Sequence, residues 1–290
     1  MKWEGNRESD NVEDRRGGGG GGGFPVGGRG IGIGTVVLAL IGWGVFGINP
    51  LTTIGVLSGG GSPQVQQQAP AQRPPSSDQG AKFVSTVLAS TEDVWTQVFR
   101  EGGAQYQPPK LVLFTGVTRT ACGTGQSAMG PFYCPGDHKV YLDMDFFNTM
   151  SRQLGAPGQF AQAYVVAHEV GHHVQNLLGI SDKVDRMRGR VSEREQNAAS
   201  VRLELQADCL AGIWANKSQQ AKNWLEQGDI ESAMNAAQQI GDDKLQREAT
   251  GTVRPDSFTH GSSAQRVRWF TQGFKTGSVK ACDTFAAQSL

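Results

Sequence analysis

Apolar positions recur along this chain with different rhythms in different stretches. Val84, Val87, Leu88, Val94, Trp95 and Val98 follow helical spacing, so residues 82–100 are predicted to form an amphipathic helix. "KLVLFTGV" (110–117) and "HKVYLDMDFF" (138–147) are rich in β-branched and aromatic residues and read as strands. Beyond Gly158 the pattern is mainly helical. Gly228 and Gly241 punctuate short helices, and "HGSSAQRVRWFTQGF" opens its helix with a capping box of Ser262 and Gln265. There is no internal repeat. Residues 81–290 therefore predict one α+β domain, mainly helical with a small β-sheet, and are long enough to bury a single core.

The first 80 positions follow other rules. Residues 1–30 are polar and then glycine-rich ("RRGGGGGGG"), too poor in apolar side chains to offset their ordering entropy, and are expected to be disordered. "IGIGTVVLALIGWGVFGI" (31–48) holds no charge over 18 positions, the lower edge of what crosses a bilayer. A buried core helix is the competing reading, but five glycines weaken it and the flanks leave it no core to join. Residues 31–50 are accordingly assigned to a transmembrane anchor, and 51–80, dominated by Gly, Ser, Pro and Gln, to a flexible linker. No A-x-A-like site follows closely, which favours an uncleaved anchor over a signal peptide. Arg15, Arg16 and Arg29 precede the span and no basic residue follows until Arg73. The positive-inside rule then expects a single-pass protein whose N-terminus stays cytoplasmic and whose larger domain is exported.

Composition removes one class of function. Lys+Arg and Asp+Glu both number 27, so the net charge is zero, and aromatic residues do not interleave with basic runs. Nothing here suits a nucleic-acid partner. The four cysteines, Cys122, Cys134, Cys209 and Cys282, suggest two disulfides in an exported domain, with three pairings possible. The preferred pairing is Cys122–Cys134, which staples one loop, with Cys209–Cys282, which ties the C-terminal tail to a helix.

Three of the chain's five histidines stand in "AHEVGHHVQ". His168 and His172 are one helical turn apart on the same face, so both imidazoles can address one ion. Glu169 is turned about 100° from His168, off the ligand axis but within reach of an attacking water. His173 is turned as far from His172 and is expected to make a polar contact on the neighbouring face instead. Gly171 weakens the helix by roughly 1 kcal/mol and suggests close approach of another segment. A chance HExxH in an ordinary amphipathic helix is the bland reading, and a third ligand would argue against it. "RLELQADCLAG" supplies one. Glu204 and Asp208 lie at i and i+4 among apolar neighbours, where carboxylates cost free energy to bury unless they meet a cation or donors. Glu204 is the candidate third metal ligand, and Asp208 the candidate partner for a ligand histidine's N–H.

HExxH followed by a helix carrying ExxxD resembles the gluzincin class of zinc peptidases. More closely, "ESDNVEDRR", "GPFYCP", "AHEVGHHVQ", "LELQADC" and "DSFTHGSSAQR" resemble the neutral zinc metallopeptidase family of bacteria, from the N-terminus to the end of the chain. The resemblance implies a zincin-like domain binding one Zn2+ through His168, His172 and Glu204, with Glu169 as general base. It implies a protein tethered to the bacterial inner membrane with its larger domain periplasmic, and the leading functional reading is an endopeptidase acting on peptides or unfolded proteins. The oxyanion formed during hydrolysis needs a further donor. His260 is the first candidate and Arg266 the second. The strand edge around Val140–Asp143 is a candidate for pairing with an extended substrate. Two other readings compete: an inactive scaffold or chaperone-like binder, which has no need of Glu169, and a metal sensor, which would want a fourth protein ligand.

Overall fold

The computed structural model describes residues 1–16 and 72–290. The expected anchor at 31–50, and the adjoining stretches 17–30 and 51–71, lie outside the described residues. Among the described residues no helix is long and apolar enough to cross a membrane.

The architecture is a mainly helical α+β arrangement with small sheets. Helix α1 (Gln79–Glu101) starts where the Asp78 carboxylate accepts the Ala81 N–H at 2.9 Å, and it buries Val84, Val87, Leu88 and Trp95. Its predicted extent and its apolar stripe agree with what forms. The main sheet has the order β1–β2–β6–β5, where β1 is Val12–Asp14, β2 Lys110–Phe114, β5 Phe132–Cys134 and β6 Lys139–Asp143. Strands β1, β2 and β6 run parallel, while β5 runs antiparallel to β6. Buried "LVLF" in β2 and "VYLD" in β6 are the near-continuous apolar runs of strands covered on both faces. A hairpin of β3 (Val117–Thr120) and β4 (Gly123–Gln126) projects beside them. The strand expected to continue to residue 147 stops at Asp143, because "DFFNTMSR" turns into helix α2 (Asp145–Arg152).

Helix α3 (Gln159–Leu177) carries HExxH, and after α4 (Ile180–Asp185) the long helix α5 (Glu193–Lys222) carries Glu204 and Asp208. A capping box of Ser192 and Glu195 fixes the start of α5. The two long helices touch at Gly171, where an added Cβ would lie 3.0 Å from the Ala207 carbonyl oxygen. The small residue thus brings the two motifs together. Helices α6 (Asp229–Gln239), α7 (Asp242–Thr250) and α8 (Ser263–Thr276) close the far side. A side chain at Gly273 of α8 would collide with the Cys209 carbonyl of α5. The Ser262–Gln265 capping box forms as its spacing predicts. Cys122–Cys134 and Cys209–Cys282 are both disulfide-bonded, and no cysteine is free.

Residues 1–16, expected to belong to a disordered segment, are instead built into the domain. Strand β1 pairs with β2 in register Val12↔Leu111 to Asp14↔Leu113. Trp3 is buried edge-on against Phe83, with ring centroids 5.4 Å apart. Glu92 of α1 is buried and receives Arg7 (3.0 Å), Ser9 (2.5 Å) and Asn11 (2.8 Å). Glu13 meets Lys110 and Lys139, and despite partial burial their donors hold its carboxyl down to about 2. A composition argument misses this segment because its order comes from one tryptophan, three strand residues and specific ion pairs. Trp3→Ala is expected to destabilise the protein by about 3 kcal/mol, read as a lower urea midpoint at unchanged slope. An unshifted midpoint would remove the N-terminal segment from the folding unit.

Candidate metal centre

Where α3 crosses α5, three side chains converge. His168 Nε2 lies 3.2 Å from His172 Nε2 and 3.2 Å from Glu204 Oε2, and His172 Nε2 lies 3.5 Å from Glu204 Oε1. Candidate ligand atoms of these three residues all fall within 4.8 Å of one another. Donors held about 2.0–2.1 Å from a tetrahedral zinc are about 3.3–3.4 Å apart, so the spacing suits that ion. Two imidazoles and one carboxylate, with no thiolate, form the donor set of a hydrolytic zinc site that leaves a coordination position open.

A second layer fixes each imidazole. His168 Nδ1–H donates to Asp208 Oδ1 at 2.8 Å, which leaves Nε2 free to face the cluster. Asp208 is fully buried and also accepts from the Tyr164 hydroxyl (2.5 Å) and from Arg266 Nε (2.8 Å) and Nη2 (3.0 Å). Burial opposes its ionisation, but the Arg266 charge and then His168 hold it down to about 2. His172 Nδ1–H donates to Gln175 Oε1 at 2.9 Å. Gln175 Nε2 in turn donates to the Leu203 carbonyl (2.6 Å) and to Gln206 Oε1 (3.0 Å). Gln175 did not stand out in the sequence, since a glutamine three residues after a histidine is ordinary helix content.

Burial would lower the His168 pKa, but the charge of Asp208 and its hydrogen bond, with Glu204, raise it to about 10. Burial works against Glu204 too, yet the charges of His172 and His260 hold it well below the usual carboxylate range. Glu169 behaves the other way. It is 7% exposed, and desolvation raises its carboxyl above the ordinary value.

His260 lines the same cavity as the cluster. Its Nδ1 is 3.3 Å from Asp242 Oδ1 and 3.0 Å from Thr259 Oγ1. Asp242 Oδ2 also gathers the backbone N–H groups of Thr259, His260 and Gly261 at 2.7, 2.7 and 3.0 Å, so it shapes the whole turn. Burial is outweighed by the charges of Glu204 and Asp242, and the His260 imidazole titrates above its usual value. Arg266, the second candidate oxyanion donor, also lines the cavity, but its hydrogen bonds are made to other groups. Its guanidinium is committed to Asp208, Tyr164 (3.2 Å) and the Ile240 carbonyl (3.3 Å), where it holds Asp208 in position. His173 turns from the cluster. Its Nε2–H donates to the Gln107 carbonyl at 2.6 Å, so Nδ1 accepts from the Tyr133 hydroxyl at 3.0 Å. Burial lowers its pKa to about 4 and keeps it neutral.

The cavity measures about 1020 Å³ and carries apolar walls from Phe132, Phe146, Val165 and Leu245. The strand edge expected at Val140–Asp143 is not available, because β6 is flanked by β2 and β5. The outermost strand on this side is β5, and its Phe132 and Tyr133 both line the cavity. Alternating apolar residues identify a strand but not its place in the sheet, which is why the sequence pointed to the wrong one.

An HExxH helix crossed by an ExxxD helix, with an orienting partner behind each imidazole, defines a centre of the zinc-peptidase class. The family model described as "Putative neutral zinc metallopeptidase" matches residues 1–285, and the chain belongs to that family. The uncharacterized protein YpfJ of Escherichia coli is 52% identical over 292 residues, covering 98% of this chain and 99% of the relative. The uncharacterized protein Rv2575 of Mycobacterium tuberculosis is 43% identical over 221 residues, covering 72% of this chain and 73% of the relative. No solved structure matches.

Proposed function

We propose that this protein is a zinc-dependent endopeptidase in which His168, His172 and Glu204 hold the ion and Glu169 is the general base. The observation that carries this reading is the spacing of the three donors, 3.2–3.5 Å, beside the buried Glu169. Zinc in this position supplies Lewis acidity, which acidifies a water and polarises a carbonyl. Glu169, its carboxylate kept basic by burial, accepts a proton from the attacking water and passes it to the leaving amine nitrogen. His260 has Nδ1 engaged by Asp242 and Thr259, so Nε2 is the atom left to donate toward the developing oxyanion. The β5 edge suits main-chain pairing with an extended substrate, and the apolar walls suit its side chains. Two disulfides support work in an oxidising, extracytoplasmic compartment.

The direct test is incubation of the zinc-loaded full chain with unfolded casein, scoring new amino termini by mass spectrometry. Internal cleavages are expected, and an intact substrate would overturn the reading. His260→Gln is expected to lower kcat by about 10²–10³-fold with little change in KM. An unchanged kcat would assign the oxyanion to another donor.

A further inference from the structure

The N-terminal segment is anchored at the point where the chain returns. Asp14 N–H donates to the Gln72 carbonyl at 2.7 Å and Gln72 N–H donates to the Asp14 carbonyl at 3.2 Å. Arg16 forms an ion pair with Asp78, the cap of α1, at 2.7 Å. The chain therefore leaves the domain after β1 and rejoins it at the same sheet edge, and both ends of the excursion are fixed to one folded body. On one side stand β1, Trp3 against Phe83, and Arg7, Ser9 and Asn11 on Glu92; on the other stand α1 and everything after it.

We infer that residues 1–16 and the metallopeptidase domain occupy the same side of any membrane, and that the chain between them does not cross a bilayer once. A single crossing at 31–48 would put β1 in one compartment and β2, its hydrogen-bonded neighbour, in the other. A return crossing has too little chain of the right kind. After Asn49 and Pro50 the next apolar stretch is Leu51–Leu57, seven residues, whereas a helical crossing needs about 17–25. The arginine asymmetry that favours a cytoplasmic N-terminus also loses force. Arg15 is paired with Glu13 at 2.9 Å and Arg16 with Asp14 and Asp78 at 2.7 Å each, so two of the three charges are neutralised within the domain. None of this depends on the catalytic reading.

The test uses the full chain expressed in Escherichia coli with one added thiol, Asp10→Cys or Glu248→Cys. Both positions are exposed, and all four native cysteines are in disulfides and do not compete for label. Spheroplasts are treated with a membrane-impermeant maleimide before and after lysis. Both thiols are expected to label before lysis. Labelling of both only after lysis also keeps the two on one side and supports the inference, while moving the domain into the cytoplasm. Labelling of Glu248→Cys before lysis with Asp10→Cys protected until lysis, or the reverse, overturns it. If Asp10→Cys fails to accumulate, Glu8→Cys reports on the same segment, since Glu8 is also exposed.

Discussion

Glu169→Gln is expected to leave zinc stoichiometry and folding unchanged while lowering peptide hydrolysis by about 10²–10⁴-fold. The amide keeps the size of the side chain and stays in the same buried position, so α3 and its two histidines are not disturbed. What it loses is the ability to take a proton. The parent carboxylate is made more basic by desolvation, which brings it closer to the working pH of a proton shuttle. Retained activity in Glu169→Gln would mean that another group moves the proton and that Glu169 is not the general base. Loss of zinc together with activity would instead make Glu169 a ligand.

Asp208→Asn carries the largest expected structural effect. The parent carboxylate is fully buried and satisfies His168, Tyr164 and two nitrogens of Arg266. An asparagine keeps one acceptor oxygen but replaces the other with a donor that faces a guanidinium. Arg266, 2% exposed, is then left as a buried charge without a counter-ion, a situation that costs about 3–5 kcal/mol. His168 also loses the charge that fixes its tautomer, and zinc affinity is expected to fall by about 10–100-fold. Urea unfolding reads the first effect and competition with a zinc chelator the second. Unchanged stability with weakened zinc binding would show that Arg266 finds another partner, and neither change would remove Asp208 from the site.

These two residues also show why part of the site could be read from sequence. Glu169 belongs to a five-residue pattern whose helical geometry is fixed by backbone chemistry. Glu204 and Asp208 announced themselves because two carboxylates one turn apart sit badly in an apolar helix without a cation. Gln175 and Asp242 gave no such signal. Each is a common polar residue whose role arises only when distant elements meet, Gln175 against Leu203 and Gln206, and Asp242 beneath the Thr259–Gly261 turn. Arg266 lies near the site in sequence logic, but which side of Asp208 it occupies is decided by how α8 packs on α5. The predicted strands gave the sheet's material without its order, so the open edge was placed on β6 instead of β5. The N-terminal strand was hidden for another reason. Low apolar content is a sound guide to disorder only where the few apolar and charged groups lack partners, and Trp3, Arg7 and Glu13 all have them.

The measurement that bears most directly on the central claim is zinc content followed alongside hydrolysis as the ion is removed and restored. Purified full chain is expected to hold one zinc, to lose casein cleavage in proportion as a chelator removes it, and to regain activity at one added equivalent. His172→Ala should neither retain the ion nor recover. Zinc-free protein that cleaves casein at the undiminished rate would contradict the assignment of His168, His172 and Glu204 as the catalytic centre.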